Sequence, residues 1–242
     1  MKKFLTAHWK DLIMINFEVS PKFLLPFVPP GTELDLWENK AFVSIIAFLF
    51  DETKVLGIPA IGNKRFEELN IRFYIKRVEG DNEKRGVAFV KEIVPKPLVS
   101  GIANLFFSEH YQSMKMSHKV SFVETNQKKG HNLEYIAEKN QIHRFSARLT
   151  SELIDMKEGS FEEFIAEHYW GYSRVNDFKT IEYEVQHPKW QIYKDSEVSY
   201  TCDFEKLYGN KWKFLNLENP YSKFVAKGSE VSVGFPKKIV LK

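Results

Sequence analysis

Cysteine is nearly missing from this 242-residue sequence: Cys202 stands alone, with no CxxC spacing and no Cys/His companions. An internal disulfide and a cysteine-built zinc site are thereby excluded, and a reducing cytoplasm is the compartment that fits. Long apolar runs are missing too. In the opening "MKKFLTAHWKDLIMINFEV" the longest, Leu12 to Ile15, falls far short of a signal-peptide core or a membrane span, so neither export nor a membrane partner is expected. Charge of one sign is not in excess: 35 Lys and Arg face 32 Asp and Glu, and dense basic clusters are short, as at Lys128-Lys129 and Lys237-Lys238. Nucleic acid is therefore a disfavoured partner. GxGxxG, P-loop, HExxH and GxSxG signatures are all absent, which argues against the common nucleotide, zinc-protease and hydrolase chemistries. Seven histidines invite a metal reading, but His110 and His118 on one strand would lie ~26 Å apart at about 3.3 Å per residue. No metal and no organic cofactor is expected.

Core-forming residues are plentiful. Hydrophobic residues make up 43% of the chain and aromatics 15%, with 21 Phe, enough for one large domain spanning 1–242. "VSPKFLLPFVPPGTEL" reads as a short helix with Ser20 as N-cap and Pro21 at its first position, stopped at Pro29-Pro30-Gly31. "TELDLW", the turn "ENK" and "AFVSIIAFLF" read as a hairpin whose second arm is too uniformly apolar to have a wet face. Residues 51–66, with Gly57, Pro59, Gly62 and Asn63, read as a long loop of the kind that borders sites. Leu98, Ile102, Leu105 and Phe106 have helical spacing, and "SFEEFIAEHYW" opens with a capping box, Ser160 with Glu163. "HYQSMKMSHKVSFVE" predicts a long half-buried strand with Met114, Met116, Val120 and Phe122 inward, and a second hairpin over 133–149 turns near Lys139-Asn140. Many antiparallel strands with a few short helices make this an α+β protein with a strongly curved or closed sheet.

The most informative strand is "EELNIRFYI". Glu68, Asn70, Arg72 and Tyr74 alternate with Leu69, Ile71, Phe73 and Ile75, so one face is polar and the other apolar. The polar face is either an ordinary solvated surface or the wall of a cavity. In the second case Arg72 suits a small carboxylate, and Glu68 either orients Arg72 or, with a raised pKa, moves protons. His168, on the apolar side of its helix, reads as a hydrogen-bonded core histidine rather than a ligand. In "HPKW", His187 and Trp190 either line a pocket or only pack the sheet.

The closing "GFPKKIVLK" resembles the stretch that carries the Schiff-base lysine of acetoacetate decarboxylase. Such a lysine must be desolvated to lose its proton, and Lys237 and Lys238 sit where chains are exposed and frayed. A tail is the better reading.

Four other motifs, in order, resemble the YqjF-like family of uncharacterised bacterial proteins. They are "HWKDLIMINFEVSPKFLLPFVPPGTELDLWENKAFVSIIAF", "FEELNIRFYI", "FEEFIAEHYWGYS" and "VQHPKWQIYKD". The resemblance implies the acetoacetate decarboxylase-like fold, a curved, largely antiparallel sheet enclosing a pocket, with Glu68, Asn70 and Arg72 facing that pocket. It also implies that "FSEHYQSMKM" is the piece matching the decarboxylase lysine stretch. Tyr111 then occupies the lysine's place, while Ser108 and His110 depart from the Gly and Pro of the family patterns. The amine is missing there, so a Schiff base is not expected.

Two functions follow as expectations. One is a binding protein for a small organic ligand, acid-like or apolar, using Arg72, Glu68, Asn70, Tyr111, His187 and Trp190. The other is a lyase, isomerase or hydrolase with Glu68 as general acid or base and Tyr111 or His110 polarising a carbonyl. Oligomeric state is not written in the sequence, and a homo-oligomer is left open.

Overall fold

The structure, a computed structural model, describes residues 1–124 and 129–241. Its first half contains strands β1 (Lys3–Val19), β2 (Glu33–Leu34), β3 (Ala41–Val55), β4 (Ile58–Pro59), β5 (Phe66–Glu79), β6 (Asn82–Val94) and β7 (Tyr111–Ser113). Then come β8 (Lys115–Glu124), β9 (Lys129–Lys139), β10 (Gln141–Thr150), β11 (Leu153–Asp155) and β12 (Trp170–Asn176). The last are β13 (Lys179–Gln186), β14 (Gln191–Tyr193), β15 (Glu197–Thr201), β16 (Ser222–Gly234) and β17 (Lys237–Val240). Among the described residues four short α-helices interrupt them, α1 (Pro21–Leu24), α2 (Pro97–Phe107), α3 (Phe161–Ala166) and α4 (Phe204–Tyr208), with 3-10 turns at Leu25–Phe27 and Asn210–Asn216.

Thirteen strands join in one sheet. Its main path runs β16-β1-β3-β5-β6-β12-β13, and β13 returns to β16 through Val185↔Val233 and Gln186↔Ser232, so the strand order is ring-like. Neighbours on this path pair antiparallel except β6 and β12, which meet in parallel for two residues, Trp170↔Gly86 and Gly171↔Val87. Glycine is required at that junction, because a Cβ on Gly86 would stand 2.5 Å from the Trp170 carbonyl oxygen. The remaining four strands, β15-β10-β9-β8, form a second antiparallel sheet. Leu133, Tyr135, Phe145 and Ala147 of this sheet share one buried cluster with Ile13, Ile45, Ile71 and Phe73 of the first, so the two sheets pack face to face.

The uniformly apolar β3 is the fold's centre. It lies between β1 and β5, and its two faces feed different clusters: Val43, Ile45 and Leu49 enter the inter-sheet core, while Phe42, Ile46 and Phe48 enter a second cluster. A strand buried on both sides has no polar face to show. At α3, Ser160 Oγ accepts from the Glu163 backbone N–H at 3.3 Å. The Glu163 carboxylate reaches back one residue beyond the expected partner and accepts from Gly159 N at 2.7 Å.

Several elements differ from the sequence reading. The segment before β3 does not pair with it as a hairpin arm. Since β1 and β5 already occupy both edges of β3, Glu33 and Leu34 pair instead with Lys76 and Ile75 of β5. Only the Trp37↔Lys40 bridge, around Glu38 and Asn39 at positive φ, remains of the expected turn. Residues 51–66 are not all loop: β3 runs on to Val55 and turns at Leu56-Gly57 into β4. The long strand after residue 110 is broken at Met114, and its apolar stripe does not stay buried. Met114 is buried, but Val120 is 41% and Phe122 88% exposed, because β8 is an edge strand paired only with β9. Nor is the C-terminus frayed. Past Pro236 it forms β17, which pairs with β13 and leaves Lys237 and Lys238 exposed. No helix among the described residues is long and apolar enough to cross a membrane.

Candidate functional site

The strand β5 divides two environments. Leu69, Ile71, Phe73 and Ile75 point into the inter-sheet core. The alternate side chains Glu68, Asn70 and Arg72 line a pocket of about 470 Å³, and all three are buried, at 3%, 3% and 7% exposure. Aromatic side chains supply much of the wall, among them Trp9, Phe48, Phe50, Phe89 and Trp190. Ile58, Ile61 and Leu98 line the pocket and are also exposed, at 69%, 85% and 62%, so β4, the following loop and α2 border its open side.

The polar end is built by pairing register. Asn70 lies opposite Glu92 of β6 in the antiparallel ladder, so their side chains share a face. Glu92 in turn sits beside Tyr111, because β7 runs parallel to β6. The Asn104 side chain on α2 clamps the Tyr111 backbone, accepting from its N–H at 2.8 Å and donating to its carbonyl at 3.0 Å. Thus held, Tyr111 Oη donates to Glu68 Oε2 at 3.1 Å, and Asn70 Nδ2 donates to Glu68 Oε1 at 2.9 Å. Arg72 does not form a hydrogen bond with Glu68. Its Nη2 donates to the Ile165 carbonyl in the last turn of α3 at 3.1 Å, and its guanidinium lies 5.7 Å from the Tyr74 ring centre.

Glu109 is the third carboxyl among the described pocket-lining residues, 7% exposed, and accepts from Tyr183 Oη at 2.7 Å. It is positioned by the end of α2, where Ser108 takes a left-handed φ of 54°. The chain then alternates: Glu109 and Tyr111 line the pocket, while His110 between them is exposed and outside it. His110, a candidate from sequence, is therefore not brought together with Glu68 and Tyr111.

Burial dominates the electrostatics. It pushes Glu68 up to about 7 against the opposing pull of Asn70, Tyr111 and the Arg72 charge. Burial likewise raises Glu109 to about 7. Glu92 is raised well above the usual carboxyl range by burial, reinforced by the negative charges of Glu109 and Glu68. Glu92 and Glu109 act on each other in opposite senses, Glu109 raising Glu92 and the Glu92 side chain drawing Glu109 down, as when the first carboxyl keeps its proton and the second accepts from it. Tyr111 and Tyr183 are raised by the same burial and the same carboxyls, and stay phenols.

Two histidines line the pocket as well. His187 stacks on Trp190 at 4.2 Å between ring centres and 17° between planes, and burial lowers its pKa to about 4. Trp190 is anchored by its indole N–H, which donates to Ser229 Oγ at 2.8 Å. His168 falls just past the end of α3 rather than within it; its Nε2 lies 3.0 Å from Asp35 Oδ2, which also accepts from Arg85 Nε at 2.7 Å. Burial holds His168 neutral, at about 4. It is thus a hydrogen-bonded buried histidine, as read from sequence, that also reaches the pocket. Among the described residues no lysine lines the pocket, and no group of His, Cys, Asp or Glu is arranged to hold a metal ion.

Sequence reasoning missed Glu92, Glu109 and Tyr183. A register shift between Ile71 and Arg72 in the β5–β6 ladder re-phases β6, so simple alternation does not say which way Glu92 points. Glu109 comes from a loop, where no period applies.

The family model described as an uncharacterized conserved protein, DUF2071, matches residues 6–230. The chain belongs to the DUF2071 family. Uncharacterized protein YqjF of Bacillus subtilis (strain 168) is 23% identical over 197 residues, covering 79% of this chain and 76% of that protein. Solved structures extend the likeness to the fold of this DUF2071 protein. An acetoacetate decarboxylase-like enzyme from Sphingomonas wittichii RW1 superposes with a TM-score of 0.63 at 11% identity, over 100% of this chain and 95% of that one. The enduracididine biosynthesis enzyme MppR, solved with pyruvate, gives 0.62 at 10% identity over 100% and 92%. The DUF2071 chain has the acetoacetate decarboxylase-like fold, mostly strands with few helices.

Proposed function

We propose that this protein binds a small, largely apolar organic molecule in the β5-lined pocket, with a polar head group at Glu68, Asn70, Arg72 and Tyr111, and without Schiff-base chemistry. The curved sheet is then the enclosure of a binding cavity. The observation that carries the reading is the pocket's composition: an aromatic wall with a few buried polar groups converging at one end. The absence of a lysine among the described lining residues supports binding without an imine. His187 and Trp190 belong to the wall in this reading, as a stacked pair.

The test is a thermal-shift panel of C5–C8 alcohols, ketones, acids and amines on the wild type and on Ala103→Trp, which fills the pocket from α2. A ligand at a hundred times its Kd adds about 2.7 kcal/mol, a rise of roughly 5–10 °C for a chain of this size. Stabilisation of the wild type alone is expected. If no member of the panel stabilises it, or if Ala103→Trp responds equally, the pocket is not a binding site.

A second reading rests on one specific feature: Glu68, raised to about 7 and hydrogen-bonded to Tyr111, is poised for general acid or base work near neutral pH. The reaction classes are lyase, isomerase or hydrolase. Turnover of a pocket ligand that disappears in Glu68→Gln, with binding retained, is the expected result; turnover unchanged in that variant sinks it.

A further inference from the structure

The polar end of the pocket carries several unpaired acceptors and more carboxyls than cations. Asn70 Oδ1, Glu92 Oε2 and Glu109 Oε2 are buried and without a hydrogen-bond partner among the described residues, with the Ser173 hydroxyl beside Glu109 and the Tyr111 phenol beside Glu92 drawing those carboxyls down in pKa. His168, buried at 5% exposure and held on another element, adds a fourth. Its Nε2–H donates to Asp35, which leaves Nδ1 an acceptor, also without a partner. Donors are present too: Arg72 has one N–H committed to Ile165 and Nε unpaired, and the Trp9 indole N–H and the Thr53 hydroxyl are likewise unpaired, so the charge balance rather than a shortage of donors favours a cation. Arg72 is also the one cationic side chain among the described lining residues, against three carboxyls.

Buried acceptors without donors are costly, and a group carrying several N–H donors and a positive charge satisfies them together. The wall next to them is aromatic, and ring faces attract ammonium groups. We infer that the head group this pocket selects is a protonated amine, bound by Glu92, Glu109 and the Asn70 carbonyl oxygen while its apolar part lies against the wall of Trp9, Phe48 and Phe50. The inference rests on the pocket being a ligand site and names the ligand's class. The ammonium stands against ionised carboxyl groups that are otherwise protonated, so binding releases a carboxyl proton to solvent. Glu68 keeps its bonds to Tyr111 and Asn70.

The probes are hexylamine and phenethylamine, against hexan-1-ol and hexanoate, with the full chain and titration calorimetry at pH 7 in phosphate and in Tris. The amines are expected to bind at least tenfold more tightly than the alcohol or the acid. Their apparent enthalpy should differ between the two buffers as proton release requires. Glu92→Gln and Glu109→Gln, close in shape to the parent residues, should each weaken the amines tenfold or more and leave the alcohol unchanged. Should those variants fold poorly, the wild type still decides the matter by its pH profile. The titratable groups facing the head group are Glu68, Glu92, Glu109, Tyr111, Tyr183, His168 and His187, beside the fixed charge of Arg72. From pH 6 to 8 the histidines stay neutral, the phenols stay protonated and the probe amines stay charged, so only the carboxyls change. Amine affinity must then rise with pH and hexanoate affinity fall. Tighter binding of the alcohol or the acid than of the amines overturns the inference but leaves the pocket reading standing, whereas binding by none of the probes removes both.

Discussion

The two faces of β5 are both buried and chemically opposite. Ile71, at 0% exposure, and Phe73, at 1%, pack against the second sheet, while Glu68, at 3%, and Arg72, at 7%, line a pocket. Burial by packing gives each apolar atom neighbours and stabilises the fold. Burial around a pocket desolvates polar groups that have few partners, and here three carboxyls respond by holding protons. The first face makes the structure stable, and the second costs part of that stability.

The largest expected effect is on the packed face. Phe73→Ala should lose about 3–5 kcal/mol, read as a drop in Tm on the order of 10 °C. A loss below about 1 kcal/mol would mean the two faces do not differ as described.

Next in size is the response of the pocket face. With Glu68→Gln the neutral amide replaces a carboxyl that must ionise in a buried site above pH 7, and the variant should gain on the order of 2 kcal/mol at pH 8. At pH 5, where the wild-type carboxyl is already neutral, the gain should shrink towards zero. Chemical denaturation at both pH values makes the comparison, and a loss at pH 8 would show that the carboxylate is stabilised by its partners.

The pH profile of the wild type sharpens the same point. Between about 4.5 and 7 the folded state binds more protons at Glu68 and Glu109 than the unfolded state does, which makes stability fall as pH rises. His168 and His187, depressed from 6.5 to about 4, bind fewer in the folded state and make stability rise between 4 and 6.5. The two effects oppose each other up to pH 6.5; above it only the carboxyls act, Glu92 longest, so Tm should decline from pH 6.5 to 8. A Tm that is flat or increasing over that range is incompatible with protonated pocket carboxyls.

The smallest effect belongs to the edge strand. Phe122, at 88% exposure, touches little, and Phe122→Ser should change stability by less than about 0.5 kcal/mol. The same substitution made inside either face of β5 would not be tolerated.

Much of the candidate site was legible in advance, and the reason is local. Period-two alternation placed Glu68, Asn70 and Arg72 on one side of a strand, since successive side chains of an extended backbone must point oppositely. Alternation also misled: the same pattern put Val120 and Phe122 inside, where the edge of the second sheet leaves them exposed. It was silent on Glu92, re-phased by a register shift, and on Glu109, carried by a loop.

By itself the sequence determined the elements whose causes lie within a few residues. These are the capped start of α3, the turn at Asn140, the two-sided apolar β3 and the two chemistries of β5. Only the tertiary structure decided that the polar side of β5 would be buried, because burial is a property of what comes to lie opposite. Glu109 follows α2, Tyr183 belongs to β13 and His187 precedes β14, yet closure of the ring brings all three to the pocket that Glu68 lines. A carboxyl pKa near 7 arises from that burial, and no spacing along the chain encodes it.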